Sequence, residues 1–152
     1  MLETWMDERK NTSGYVFKFS SGAVAWTSKK QPIVSLSTTG TEFIAATVYT
    51  CQAIWIKRIL TELGHEKESC IVIKCDNNST IKLSKNLIMY EKSKHIDVRY
   101  YFLRDLTKKG EIELVHCAST NEAANIMTKP LKIESLQKLR SILGMCSLDE
   151  VS

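Results

Sequence analysis

Two carboxylates in this sequence stand where they could share a cation. Asp76 closes the run Ile73-Lys74-Cys75-Asp76-Asn77, at the carboxyl end of a stretch that reads as a buried strand over 70–75. Ligand sites in α/β sheets gather at such ends. Glu42 ends Thr39-Gly40-Thr41-Glu42, a capping-box pattern at the head of a long helix. Each acid also has a local role open to it. Asp76 can cap the helix that follows, and Glu42 can complete the box with Thr39. Taken together, an acid in a helix's first turn and an acid at a strand end can hold a hard divalent cation, which takes oxygen ligands. Thiol chemistry is disfavoured. His116 and Cys117 are sequence neighbours on a predicted strand, so they point to opposite faces. The cysteines at 51, 70, 75, 117 and 146 are odd in number and match no zinc spacing, which predicts buried free thiols in a reducing compartment.

The elements that must position these groups can be read from the pattern. Aromatics at Tyr15, Phe17 and Phe19, then Ser20-Ser21-Gly22, then Ala23-Val24-Ala25-Trp26-Thr27-Ser28 form a hairpin signal. Ile33-Val34-Ser35-Leu36 suggests a third short strand after Pro32. The long helix carries Phe43, Ala46, Ile54, Leu60 and Leu63 and stops at Gly64. After strand 70–75 come helices over about 79–85 and 93–109, the second with Ile96, Tyr100, Leu103 and Leu106 on one face. Glu111 to Leu114 alternates as a half-buried strand. Ser119-Thr120-Asn121-Glu122 opens a short helix stopped by Pro130, and Ile133, Leu136, Leu139 and Leu143 mark a last helix ending at Gly144. Trp26 and Trp55 read as core. The order β-β-β-α-β-α-α-β-α-α predicts an α/β (mixed α+β) fold with a sheet part parallel and part antiparallel, flanked by helices.

Composition sets wider bounds. The 152 residues hold 43% hydrophobic and 25% charged residues, an ordinary globular balance for a single domain. One domain is expected over 1–144, with a tail over 145–152. No apolar run approaches the roughly 20 residues that cross a bilayer, and no signal peptide is visible at Met1–Asp7. The expectation is a cytoplasmic protein with no membrane partner. The net charge of +4 is uneven. Residues 78–109 hold eight Lys/Arg against three Asp/Glu, a local +5, while the rest sums to −1. This segment is either a solvated helical face or a phosphate-tracking patch.

Several stretches carry a family resemblance. They are Arg9-Lys10-Asn11-Thr12-Ser13-Gly14-Tyr15-Val16-Phe17, Ala25-Trp26-Thr27-Ser28-Lys29-Lys30-Gln31, Ser35-Leu36-Ser37-Thr38-Thr39-Gly40-Thr41-Glu42-Phe43, Cys75-Asp76-Asn77, Lys94-His95-Ile96-Asp97-Val98-Arg99-Tyr100 and Ala124-Asn125-Ile126-Met127-Thr128-Lys129-Pro130-Leu131. In this order, over roughly 7–131, the chain resembles the ribonuclease H domain of copia-type long-terminal-repeat retrotransposons, found in many plant genomes. The resemblance implies a ribonuclease H-like fold and two-metal phosphodiester hydrolysis with Mg²⁺ or Mn²⁺ held by four acids. Glu42 matches the family's helix glutamate and Asp76 its strand-end aspartate, and these two are the expected metal ligands. The family's first aspartate lies on an opening strand several residues upstream of the position matched by Asp7. The chain is therefore expected to lack that strand, with Asp7 or Glu3 folding back as a replacement. The family's last aspartate is Asn125 here, so two of four carboxylates are absent from their expected places.

The resemblance further implies contacts to the minor groove of an A-form-like duplex from Ser37, Thr38, Thr39 and Asn77, whose local alternative is capping and turn formation. Lys82, Lys85, Lys94 and Arg99 are candidate phosphate contacts. His95 is open between a structural hydrogen-bonder and a site residue. The implied activity is cleavage of RNA in RNA/DNA hybrid or in double-stranded RNA, including viral intermediates, by a stand-alone domesticated plant copy. The alternative is a pseudo-nuclease that binds duplex nucleic acid or a protein partner without cutting. A missing first strand would also leave an open sheet edge through which a homodimer could form.

Overall fold

The computed structural model describes residues 2–8, 12–30, 38–65, 70–85 and 94–151; the side chains of 7, 8, 38–45, 94–97 and 100 lie outside that description. The elements in chain order are β1 (Leu2–Glu8), β2 (Thr12–Phe19), β3 (Gly22–Lys30), α1 (Thr38–Glu62), β4 (Ile71–Cys75), α2 (Asn78–Lys85), α3 (Lys94–Lys108), β5 (Ile112–His116), α4 (Asn125–Thr128) and α5 (Ile133–Ile142). Single 3₁₀ turns occupy Ser119–Asn121 and Leu148–Glu150. The five strands form one sheet in the order β3-β2-β1-β4-β5. β1 is antiparallel to β2 and parallel to β4, β2 is antiparallel to β3, and β4 is parallel to β5.

The opening strand is therefore present, and the expectation of a chain without it is wrong. β1 is the middle strand of the sheet. Middle strands bury both faces, so they lack the clean apolar-polar alternation that marks a half-exposed strand. Leu2 and Met6 enter the layer under one face and Trp5 the layer under the other. Glu3, expected as an alternative to Asp7 in replacing the first aspartate, lies instead near the start of β1, away from the end that carries Asp7, and is held by Lys74 of β4 at 3.3 Å; the same ammonium lies 4.5 Å from the centre of the Trp5 ring. The sheet's edges are β3 and β5, so the premise for a homodimer through a vacated edge falls with the missing strand. The strand expected at Ile33–Leu36 lies outside the described residues, as does Ser37.

One layer of core fills the space between the sheet and α1 with α3. Leu2, Met6, Phe17, Ile71, Ile73, Ile112 and Leu114 from the strands meet Ala46, Tyr49, Ala53 and Ile56 of α1 and Leu103 and Leu106 of α3. The opposite face carries a smaller cluster of Trp5, Val16, Ala123, Ala124 and Leu143. Its close approach depends on Gly14. A Cβ there would come within 2.8 Å of Met127 Cβ and 2.9 Å of Thr128 Cγ2, so only a bare backbone lets α4 lie on β2. The hydroxyl of Ser28 donates to the Met127 carbonyl at 2.6 Å and ties β3 to the same helix. α1 stops as expected, with Gly64 at φ 83° and the His65 N–H donating to the Leu60 carbonyl at 2.8 Å.

Several burial expectations fail. Trp26 and Trp55 are 61% and 57% exposed, and Trp5 is the core tryptophan. Trp26 sits on an edge strand and Trp55 on the outer side of α1, positions that apolarity alone cannot distinguish from core. Leu63, Ile133 and Leu136 are exposed too. All five cysteines are free, but only Cys75 is buried; Cys51 and Cys146 face solvent. α1 begins at Thr38, so Thr39 lies inside the helix and is not its cap. Among the described residues no helix is long and apolar enough to cross a membrane.

Candidate nuclease site

The strand directions decide which residues can meet. β1, β3, β4 and β5 all run one way, so they end at the same edge of the sheet, where β2 begins. α1 leaves β3 at that edge and returns the chain to the start of β4. Its 25 residues span about 37 Å, enough for the whole return. Glu42 thus belongs to the end of α1 nearest the carboxyl edge. It stands one helical turn ahead of Ala46 along α1.

Asp7 arrives by register. Met6 pairs with Cys75 across the parallel β1–β4 ladder, so Asp7 on β1 and Asp76, just past the end of β4, are the residues that follow the last pair. On its other side Asp7 pairs with Gly14 of β2, the residue on which α4 rests. Asn125 is the first residue of that helix.

Asp76 is half-buried and is not the cap of α2. That role falls to Asn77, whose Oδ1 accepts the N–H groups of Ser79 and Thr80 at 2.8 and 3.3 Å. The Asp76 carboxylate instead accepts the Ser119 hydroxyl at 3.2 Å. The Ser119 carbonyl in turn accepts Asn125 Nδ2 at 2.6 Å. Asn125 is 1% exposed, and its Oδ1 is buried without a hydrogen-bond partner. Nothing in the sequence marks Ser119 as a site residue. It lies 43 residues from Asp76, and Ser-Thr-Asn-Glu reads simply as a helix start.

Behind these groups lies a low-dielectric wall. Burial pushes the Cys75 thiol up to about 12; a backbone hydrogen bond of Asn77 to the sulfur pulls the other way, and the Glu122 and Asp76 carboxylates add to the rise. Burial also raises the Cys117 thiol, helped by Glu122 and opposed by Lys74. Neither cysteine is a ready nucleophile. Glu122 is wholly buried.

The basic candidates fall on the helices next to this edge. Lys82 and Lys85 are exposed on α2, which leaves β4 beside Asp76. α3 leads into the start of β5 and so runs antiparallel to it, which puts Lys94 and His95 at its site-proximal end. Arg99 is exposed a little over one turn further along. Thr38 and Thr39 open α1. The side chains of Asp7, Thr38, Thr39, Glu42, Lys94 and His95 are outside the described set. Among the described residues no group of three or more His, Cys, Asp or Glu side chains could hold a metal ion.

Known proteins align with nearly the whole of this framework. The chain is 41% identical over 143 residues, 93% of its length, to the retrovirus-related Pol polyprotein from transposon TNT 1-94 of Nicotiana tabacum. It is 32% and 31% identical, over 91% of its length, to the corresponding polyproteins from transposons RE1 and RE2 of Arabidopsis thaliana. Its homologues are Pol polyproteins of copia-type plant transposons. The chain spans only about a tenth of the length of these relatives. No family model matches it.

Proposed function

We propose that this retrotransposon-related chain is a ribonuclease H-like, metal-dependent endoribonuclease acting on A-form-like duplexes that contain RNA. One observation carries the reading: the topology brings Asp7, Glu42, Asp76 and Asn125 to the carboxyl edge of a single sheet. The order β3-β2-β1-β4-β5 supports it, as does the similarity to transposon Pol polyproteins.

The donor set fits a hard cation. Asp76 supplies a carboxylate at the strand end, Asn125 Oδ1 is a buried carbonyl oxygen without a partner, and Asp7 and Glu42 are acids on the adjoining elements. Bound Mg²⁺ or Mn²⁺ ions would generate the attacking hydroxide and stabilise the leaving 3′ oxygen. The protein's own contribution is to hold oxygens at fixed places on rigid elements. Lys82, Lys85, Lys94 and Arg99 would track phosphates, and the start of α1, with Ser37 before it, would lie along the groove where 2′-hydroxyls are exposed. Recognition by shape admits both RNA/DNA hybrid and double-stranded RNA.

A second reading has an observation of its own. Asn125 is neutral where the resembled family has an acid, which favours a pseudo-nuclease that binds such duplexes without cutting. Labelled hybrid and double-stranded RNA, incubated with Mg²⁺ or Mn²⁺, separate the two. Cutting by the parent that is lost in Asp76→Asn supports the nuclease. Salt-dependent binding without cutting supports the second reading, and equal cutting by parent and Asp76→Asn sinks the first.

A further inference from the structure

Asn125 differs from an acid in more than charge. The atom 2.6 Å from it is the Ser119 carbonyl, which can only accept a hydrogen bond. The facing atom must therefore be a donor, and a carboxamide has one where a carboxylate has none. The rest of Asn125 is equally fixed. Its N–H donates to the Glu122 carbonyl at 3.0 Å, and its carbonyl accepts the Lys129 N–H at 3.2 Å. It is thus a rigid post set into the buried side of the site.

What it holds is an exposed turn. Ser119–Asn121 has no buried residue and no side-chain cap. A backbone bond closes it, from the Asn121 N–H to the Ala118 carbonyl at 2.8 Å. The Asn125 amide and the Ser119–Asp76 bond tie it to the structure on either side.

We propose that Ser119, anchored by the Asn125 carboxamide, is a positioning residue that fixes the Asp76 carboxylate for cation binding. The inference rests on the nuclease reading, because it assigns Asp76 to a cation. It means that the neutral residue at 125 exchanges a charge for a donor, so restoring an acid there does not rebuild the site. An aspartate would set a carboxylate against the Ser119 carbonyl, release the turn and loosen Asp76.

The test is Mn²⁺ binding by the full chain, measured by electron paramagnetic resonance, with thermal unfolding of each variant in parallel. Ser119→Ala should weaken Mn²⁺ about tenfold, the size of a lost supporting contact around a ligand, with an unchanged midpoint of unfolding. Ser119→Thr, which keeps the hydroxyl, should bind as the parent does. Asn125→Asp should bind Mn²⁺ no more tightly than the parent, and its Asn121 amide should exchange with solvent faster. Tighter Mn²⁺ binding by Asn125→Asp, with Asn121 exchange unchanged, overturns the inference. Equal binding by the parent and Ser119→Ala overturns it and leaves the nuclease reading standing. A parent that takes up no Mn²⁺ and cuts neither duplex removes the nuclease reading and this inference together.

Discussion

The two faces of the sheet are built differently. Under α1 and α3 lies a broad layer of large aliphatic and aromatic side chains, with Phe17, Ile73, Leu103 and Leu114 at or near zero exposure. Under α4 and α5 lies a small cluster around Trp5 that admits Ala123 and Ala124 and borders the buried Glu122 and Asn125. The first layer supplies most of the apolar burial and hence most of the stability. The second buries less and brings α4 close enough to set Asn125 beside the strand ends. Cost to stability and cost to function should therefore separate between the two faces.

The largest effect is expected at the seam. Asp76→Asn should reduce duplex cleavage at least about a hundredfold, roughly 2.7 kcal/mol of barrier, with little change in the unfolding midpoint. A comparable loss of stability would place Asp76 among the structural groups. On the large face, Leu103→Ala should cost about 2–5 kcal/mol in chemical denaturation. On the small face, Gly14→Ala should cost about 1–3 kcal/mol, because Met127 and Thr128 must move. It should also lower cleavage beyond its effect on stability, since α4 carries Asn125. If Leu103→Ala and Gly14→Ala lower activity in the same proportion to stability, the division between the faces is wrong.

Much of the large face was legible. The hairpin, α1 with its stop at Gly64, β4 and α3 all follow from local pattern, because the helices each bury one face and the strands are short apolar runs bounded by turn residues. β1 was not legible, since the side chains that bury its two faces and the Lys74 partner of Glu3 come largely from much later in the chain. Asp76 and Glu42 stood out by residue type and position. Ser119 did not, because only the packing of the 3₁₀ turn against the end of β4 gives it a role. The same limit misplaced Trp26 and Trp55, whose apolarity says nothing about which side of an element faces out.

Two smaller effects sharpen the contrast. Cys75, with its thiol near 12, should resist alkylation at pH 8 in the folded protein while the exposed Cys51 and Cys146 react. The folded thiol ionises above its ordinary value of 9.0, so this group leaves stability unchanged below about pH 9 and lowers it as pH rises from there towards 12. Mass spectrometry of the alkylated protein and alkaline denaturation curves check both statements. Last, Lys82→Gln with Lys85→Gln should weaken duplex binding modestly and make the salt slope shallower by about 2. An unchanged slope would assign both lysines to a solvated helical face.

Asp7, Glu42, Asp76 and Asn125 are proposed to form one cation site at the carboxyl edge of the sheet. Anomalous diffraction from crystals grown with Mn²⁺ tests it most directly. A Mn²⁺ peak bound by Asp76, with Asp7 or Glu42 as a further ligand, is the predicted result. A protein crystallised in saturating Mn²⁺ with no peak at Asp76, or with Mn²⁺ held only elsewhere, would contradict it.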